Sequence, residues 1–208
     1  MNPSVERIET VGPATERLGR AMARAFRDEP NTAYMVPDPG RREAALAWFF
    51  GSFVVRLGLR YGEVWAETGG GGGAVWMRPG ASASSWGAMR AGLLAMPLHF
   101  GLSGTRRAAA LGGRVEQVRA SIAPPSHWYL MALGIDPDAQ GRGLAAATIR
   151  SVLARADADA APCYLETFRE TTTHWYRRFG FHVVHTDAVP DDGPRFWCMT
   201  REPREPGG

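Results

Sequence analysis

The residues of this 208-residue chain best placed to do chemistry are a glutamine, two glycines and an arginine at the mouth of one helix: Gln140-Gly141-Arg142-Gly143-Leu144-Ala145-Ala146. They follow an apolar run, Tyr129 to Ile135, that Asp136-Pro137 brings to an end. A helix start leaves about four backbone N–H groups without partners, and the helix dipole adds positive character there. Glycines let another molecule approach that backbone closely. An anionic group, a diphosphate above all, is the expected occupant. Two patterns fit the same residues. Gly141, Gly143 and Ala146 satisfy G-x-G-x-x-A, the dinucleotide fingerprint, and Glu166 closes the following strand, where a ribose-binding acid belongs. That reading gives an NAD(P)-binding oxidoreductase. Two features oppose it: Asp136 to Gln140 separate strand from glycine, and most of the chain precedes the motif instead of following it. Gln140, Gly143 and Ala145 satisfy a second pattern, Q/R-x-x-G-x-G/A.

Other reactive side chains are sparse. Cys163 and Cys198 both sit in apolar runs and read as small buried residues of a reducing, cytoplasmic protein, and no Cys/His spacing resembles a metal-ligand set. The five histidines are scattered, without a neighbouring partner. The net charge of +3 is too small to argue for a nucleic-acid partner, although every basic side chain is an arginine. No run of about 18 apolar residues suggests a membrane span, and the first ten residues lack a signal-peptide core.

The elements that must position the glycine turn can be read from periodicity. Ser4 to Val11 reads as a strand. Pro13 opens a helix through Leu18, Met22, Ala25 and Phe26, and Asp28-Glu29-Pro30-Asn31 ends it, starting a polar loop to Pro39. A second helix, 41–60, carries Ala45, Trp48, Phe49, Phe53, Val54 and Leu57 on one face. Gly62 to Ala66 and Gly73 to Met77 form a hairpin, joined through the glycine run Gly69 to Gly73. Residues 80–125 read as a helical insertion of two amphipathic helices, interrupted at Pro97 and Gly101. The strand 129–135 looks buried on both faces. After it come a helix 143–158, a strand 163–167, a helix 171–179 capped by Thr171 and closed by Gly180, a strand 181–186, a turn at Asp191-Asp192-Gly193, and a strand 195–200. The order predicts a mixed α/β sheet of about six or seven strands with helices on both faces, parallel at its centre and ending in an antiparallel hairpin. Residues 1–201 are expected to form one domain and 202–208 a frayed tail.

The Gln140 motif, preceded by Leu133-Gly134-Ile135-Asp136-Pro137 and followed on a later helix by Tyr176-Arg177-Arg178-Phe179-Gly180-Phe181, resembles the GNAT superfamily of N-acetyltransferases. The two motifs stand in that family's order and separation. Tyr164 to Thr167, Gly193 to Arg201, Ala25-Phe26 with Pro30, and Val55 to Leu59 with Val64-Trp65 look similar to its branch that acetylates the aminonucleoside antibiotic puromycin. The likeness thins over 79–125.

The resemblance implies acetyl-coenzyme A as cosubstrate and no metal. Its diphosphate would lie on the backbone amides of Gly141, Arg142, Gly143, Leu144, Ala145 and Ala146, with Gln140 leading the motif. Leu133, Gly134 and Ile135 would present backbone groups to the pantetheine arm, an N–H near Leu133 polarising the thioester carbonyl. Tyr176 takes the general-acid role, since a phenol keeps its proton at neutral pH. Glu166 is the first candidate for the base and Glu29 the second, with Asp28 beside it. Thr172 stands where many relatives carry an asparagine. The implied acceptor is a primary amine of a small molecule, handled by a monomer or homodimer with neither nucleic acid nor membrane as partner. A catalytically weak coenzyme A-binding sensor would carry the same cofactor residues.

Overall fold

The computed structural model describes residues 4–81 and 85–204, so the last part of the expected tail, 205–208, lies outside the described residues. One seven-stranded sheet organises the chain, in the order β1-β2-β3-β4-β5-β7-β6. Its strands are β1 (Val5–Ile8), β2 (Gly62–Glu67), β3 (Gly72–Met77), β4 (Trp128–Ile135), β5 (Cys163–Thr167), β6 (His182–Ala188) and β7 (Arg195–Arg201). Among the described residues only β4 and β5 pair in parallel; every other neighbouring pair is antiparallel. This topology removes the scaffold of the dinucleotide-binding alternative, which needs a mostly parallel, doubly wound sheet.

Helices cover both faces. On one lie α7 (Leu144–Ala158) and α8 (Glu170–Arg177), whose Ile149, Val152 and Tyr176 join Trp76, Leu130 and Leu165 in a core. On the other lie α1 (Pro13–Ala25), α3 (Pro39–Trp48) and α4 (Val55–Tyr61), with Met22, Leu46 and Val55 against Val64, Val75 and Ala132. Each such aliphatic side chain, fully buried, contributes about 1.5–3 kcal/mol. Gly19 lets α1 approach closely: a Cβ there would meet Gly51 Cα at 2.5 Å.

Several sequence expectations change in detail. The first strand is shorter than 4–11. The expected polar loop 28–39 contains a helix, α2 (Pro30–Met35), with proline in its first turn and Thr32 Oγ1 donating to Glu29 O at 3.0 Å. The second long helix starts at Pro39, capped by Asp38, and passes through a π-helical turn, Phe49–Val54, before α4. Within the insertion, α5 (Ser85–Ala91) precedes α6 (Met96–Ile122). Gly101, at φ 71°, breaks α6, whereas Pro97 sits in its first turn, where no N–H is needed, and interrupts nothing. Thr171 does not cap α8: the helix begins one residue earlier, with Arg169 at the N-cap. Gly180 does close it, at φ 91°.

The largest difference concerns β4. Its residues alternate between buried and half-buried instead of being buried throughout. β5 pairs with β4 only over Trp128–Leu130. Beyond Leu130 the two strands part, and the C-terminal half of β4 has one open edge.

Candidate active site

A bulge in β4 decides which backbone groups look into that opening. Trp76 pairs with Leu130 and Val75 with Ala132, leaving Met131 as the extra residue. A bulge of one residue shifts the alternation of the strand by one. Before it, Trp128 directs its N–H towards the β5 side, donating to Pro162 O at 2.9 Å. After it, Asp136 N–H donates to Gly71 O at 2.9 Å on the β3 side. Backbone groups alternate sides along an antiparallel strand. Leu133 and Ile135 therefore point their N–H and C=O groups into the gap between β4 and β5, while Gly134 turns towards β3. Ile135 O already accepts from Gln140 Nε2 at 3.3 Å, which ties the motif's first residue to the strand end. Gly134 is small because α1 lies against it: a Cβ would meet the Phe26 ring at 2.8 Å.

The loop after β4 is held by Asp136, whose carboxylate accepts from Asp138 N–H at 3.0 Å, and by Arg24, which pairs with Asp138 at 2.6 Å. Gly141 (φ 78°) and Gly143 (φ 77°) take left-handed conformations that cost an L-residue about 1–2 kcal/mol each. A Cβ at either position would meet open space, so the backbone angle and not crowding selects glycine. From Gly141 to Ala146 no backbone N–H finds an acceptor among the described residues. The first bond of α7 is Ala147 N–H to Gly143 O at 3.0 Å. Six consecutive free donors at a helix N-terminus form an anion cradle. Arg142 lies exposed beside it and donates to Asp138 O at 3.2 Å.

From this cradle an open cleft runs along β4 and α8, lined by Leu133, Ile135, Gly143, Ala146, Thr172 and Tyr176. It continues through the gap into a second chamber bounded by Phe26, Glu29, Asn31, Glu166, Phe168 and, again, Tyr176. Tyr176 thus stands where the two chambers meet. Its side chain is 7% exposed, and burial, with the Glu29 charge nearby, pushes its ionisation well above that of a free phenol. The hydroxyl remains a proton donor across the whole working pH range. Thr172 stands one helical turn before Tyr176, on the same side of α8.

Glu166 sits at the end of β5, on the sheet face opposite Tyr176's ring. Burial pushes its carboxyl up to about 7, while the nearby Tyr129 phenol, the Arg119 charge and the Tyr164 phenol act to lower it. Glu166 Oε1 and the Tyr164 hydroxyl are nonetheless buried without a partner of ordinary hydrogen-bond geometry, so the carboxylate has accepting capacity to spare. Glu29 is differently placed. Arg169 Nε bonds its carboxylate at 2.5 Å and Arg169 Nη2 bonds Asp28 O at 2.6 Å. The α1–α2 corner is thereby fastened to the β5–α8 corner across the second chamber, and Glu29 is committed to a guanidinium.

The sequence-predicted residues line one continuous cleft or its cradle, except Asp28, whose exposed carboxylate pairs with Arg42 at 3.6 Å. Those the sequence did not single out are Arg169, Asn31, Phe168 and the Tyr129–Arg119 pair. Tyr129 reads as one more apolar strand residue, and nothing local marks Arg119 among 24 basic side chains. The cysteines are free, lie in different cores, and burial raises their thiols to about 12 (Cys163) and about 11 (Cys198), which leaves neither a nucleophile. Among the described residues no helix is long and apolar enough to cross a membrane.

Residues 106–183 match the family model of the acetyltransferase (GNAT) domain, a segment that holds most of α6, β4, the cradle, β5 and α8. Solved structures extend the likeness to the whole fold. A Corynebacterium glutamicum protein described as histone acetyltransferase HPA2 and related acetyltransferase superposes with a TM-score of 0.68 at 21% identity, covering 100% of both chains. The Drosophila melanogaster polyamine N-acetyltransferase, which forms N-acetylagmatine, gives 0.59 at 16% identity over 96% of this chain and 99% of its own. Arylalkylamine N-acetyltransferase 2 of Aedes aegypti gives 0.59 at 12% identity over 97% and 100%. The mixed seven-stranded architecture is the GNAT fold.

Proposed function

We propose that this protein is an N-acetyltransferase that uses acetyl-coenzyme A to acetylate a primary amine of a small molecule, both substrates being bound together. The observation that carries the reading is the row of six unpartnered N–H groups from Gly141 to Ala146, continuous with the open edge of β4. A diphosphate fits the first and an extended amide-bearing arm fits the second. When bound, acetyl-coenzyme A supplies the activated acetyl group; the rest is done by the chain. The cradle holds the diphosphate. Leu133 and Ile135 offer backbone groups to the arm, and Thr172 offers a hydroxyl beside it. The Leu133 N–H is a fixed donor for negative charge developing on an oxygen in the gap. Glu166, balanced near neutrality, accepts the proton of the acceptor ammonium. Tyr176 donates its proton to the departing thiolate. Glu29, held by Arg169, closes the chamber; of the two carboxylates, Glu166 is the base.

A small amine as acceptor is supported by the second chamber, which combines Phe26 and Phe168 with two carboxylates, and by the amine substrates in the names of structurally similar enzymes. Within that class we favour an aminonucleoside-type antibiotic such as puromycin, on the sequence likeness of Tyr164–Thr167 and Gly193–Arg201, and a single-domain cytoplasmic enzyme, monomer or homodimer, that works without a metal. The test is thiol release from acetyl-coenzyme A against a panel of aminonucleosides, other amine antibiotics, polyamines, arylalkylamines and peptides. Amine-dependent release supports the proposal. Tight coenzyme A binding with no release for any amine would instead indicate a sensor, the second reading that the same cradle allows.

A further inference from the structure

Glu166 lines the acceptor chamber, the first of two cavities. The other opens at the opposite end of the β4–β5 pairing, under the C-terminal turns of α6, and is walled by Arg119, Pro124, Ser126, His127 and Tyr129. Tyr129 lines this second cavity and pairs in register with Tyr164, two residues before Glu166 on β5. The Arg119 guanidinium lies over the Tyr129 ring, 4.6 Å from the centroid, and the Tyr164 ring sits 6.0 Å away on the other side. Arg119 is itself paired with Glu116, three residues earlier on α6. His127 does not intrude: its Nδ1 is engaged by Pro124 O at 2.5 Å.

Cys198 on β7 lies opposite Glu166, and the groups whose charge or polarity acts on its carboxyl are Tyr129 from β4, Tyr164 on β5 itself, and Arg119 and Glu116 from α6. Among them only Arg119 carries a positive charge, and only the two phenols are strong neutral donors. Tyr164 is locked in a core with Phe196 and Cys198 and its hydroxyl has no partner. Tyr129 is the phenol whose ring a second residue, Arg119, holds in place.

We propose that Arg119 and Tyr129 are positioning residues for Glu166, so that the helical insertion supplies, through the last turns of α6, the control of the carboxylate in the acceptor chamber. Arg119 clamps the Tyr129 ring; the Tyr129 hydroxyl stabilises the ionised carboxyl; the guanidinium adds its field. Glu116 opposes both, by its own charge and by drawing on Arg119. The catalytic consequence rests on the reading of Glu166 as the acceptor base, whereas the electrostatic coupling does not.

The experiment therefore has two arms. In the first, carbon-13 carboxyl shifts of labelled glutamate are followed against pH in the protein alone. Glu166, assigned by loss of its signal in Glu166→Gln, is expected to titrate near 7. Tyr129→Phe and Arg119→Leu should each raise the midpoint by about 0.5–1 unit. Arg119→Lys should recover most of that rise, and Glu116→Gln should lower the midpoint by a smaller amount. Leu98→Ala, on the exposed side of α6, should leave it unchanged. Circular dichroism checks that each variant is folded, and Arg119→Lys with Glu116→Gln keep the test open should Arg119→Leu not fold. Midpoints within 0.2 units of the parent in Tyr129→Phe and in the Arg119 variants would overturn the proposal. In the second arm the acidic limb of kcat/KM should move with the measured midpoint in every variant. If the midpoints move as stated while Glu166→Gln keeps full turnover, the positioning stands and the assignment of the base falls.

Discussion

The two halves of the cleft are built from different materials. The cradle half is backbone: six N–H groups supplied by one continuous stretch, 141–146, and the odd-numbered residues Leu133 and Ile135 of the strand before it. The acceptor half is side chains: Phe26, Glu29 and Asn31 from the α1–α2 corner, Glu166, Phe168 and Arg169 from the end of β5, Tyr129 and Arg119 from β4 and α6. A backbone site needs only the right turn, so it tolerates change in most side chains and recognises a feature common to many reactions. A side-chain site assembled from four segments can be altered one residue at a time. On the proposed function, holding the carrier and choosing the amine would then fall to separate halves, with Tyr176 lining both.

The sharpest way to break that comparison is to remove the residue at the junction. Tyr176→Phe should lower kcat by about 10²- to 10³-fold, within the range for loss of a general acid, while coenzyme A affinity measured by calorimetry stays within about twofold. Because the phenol is held well above its ordinary ionisation range, activity should not fall off below pH 10 on its account; a basic limb near 8–9 would have to belong to another group. Glu166→Gln should lower kcat/KM by about 10²-fold and abolish the acidic limb near pH 7, again with little change in coenzyme A binding.

The next effects should separate the halves cleanly. Gly143→Ala places an L-residue at φ 77° and disturbs the cradle; at about 1–2 kcal/mol of strain it should weaken coenzyme A binding by roughly 5- to 30-fold and leave the acceptor KM unaffected. Arg169→Ala should do the reverse. With Glu29 released and the two corners unfastened, the acceptor KM should change several-fold, and coenzyme A titration should not.

The difference between the halves also explains what the sequence disclosed. The cradle was legible because its requirements are local: a strand, a stop at Asp136-Pro137, two glycines and a helix, all within twenty residues. The strand and helix order after Trp128 followed from the same short-range signals. Tyr176 was marked by its spacing to Gly180 and Phe181. What could not be read was long-range. The gap between β4 and β5 depends on where pairing ceases, at Leu130, and on the bulge at Met131, neither of which leaves a mark in an apolar run. Glu29 looked like a free loop carboxylate because its partner, Arg169, is 140 residues away. The helix α2 was hidden in a segment of prolines and polar residues, since Pro30 reads equally as a stop for α1 and a start for α2.

The smallest expected effect concerns folding. A carboxyl raised from 4.5 to about 7 binds protons more tightly folded than unfolded, so its contribution to stability is favourable below about pH 4.5 and is lost as pH rises through 7. Glu166→Gln should therefore be more stable than the parent at pH 8, by about 1–3 kcal/mol in urea unfolding, and the difference should shrink towards pH 4. A parent that is equally or more stable at pH 8 would mean that the acceptor half carries no such cost, and that its carboxylate is an ordinary ion-paired one.

The claim on which the rest depends is that the free N–H groups of 141–146 receive the diphosphate, and amide NMR reads them one by one. On titration with coenzyme A, the resonances of Gly141 to Ala146 should move most, those of Leu133 and Ile135 next, and those of β6 hardly at all. Binding that perturbs another part of the surface and leaves the six cradle amides in place would contradict the account.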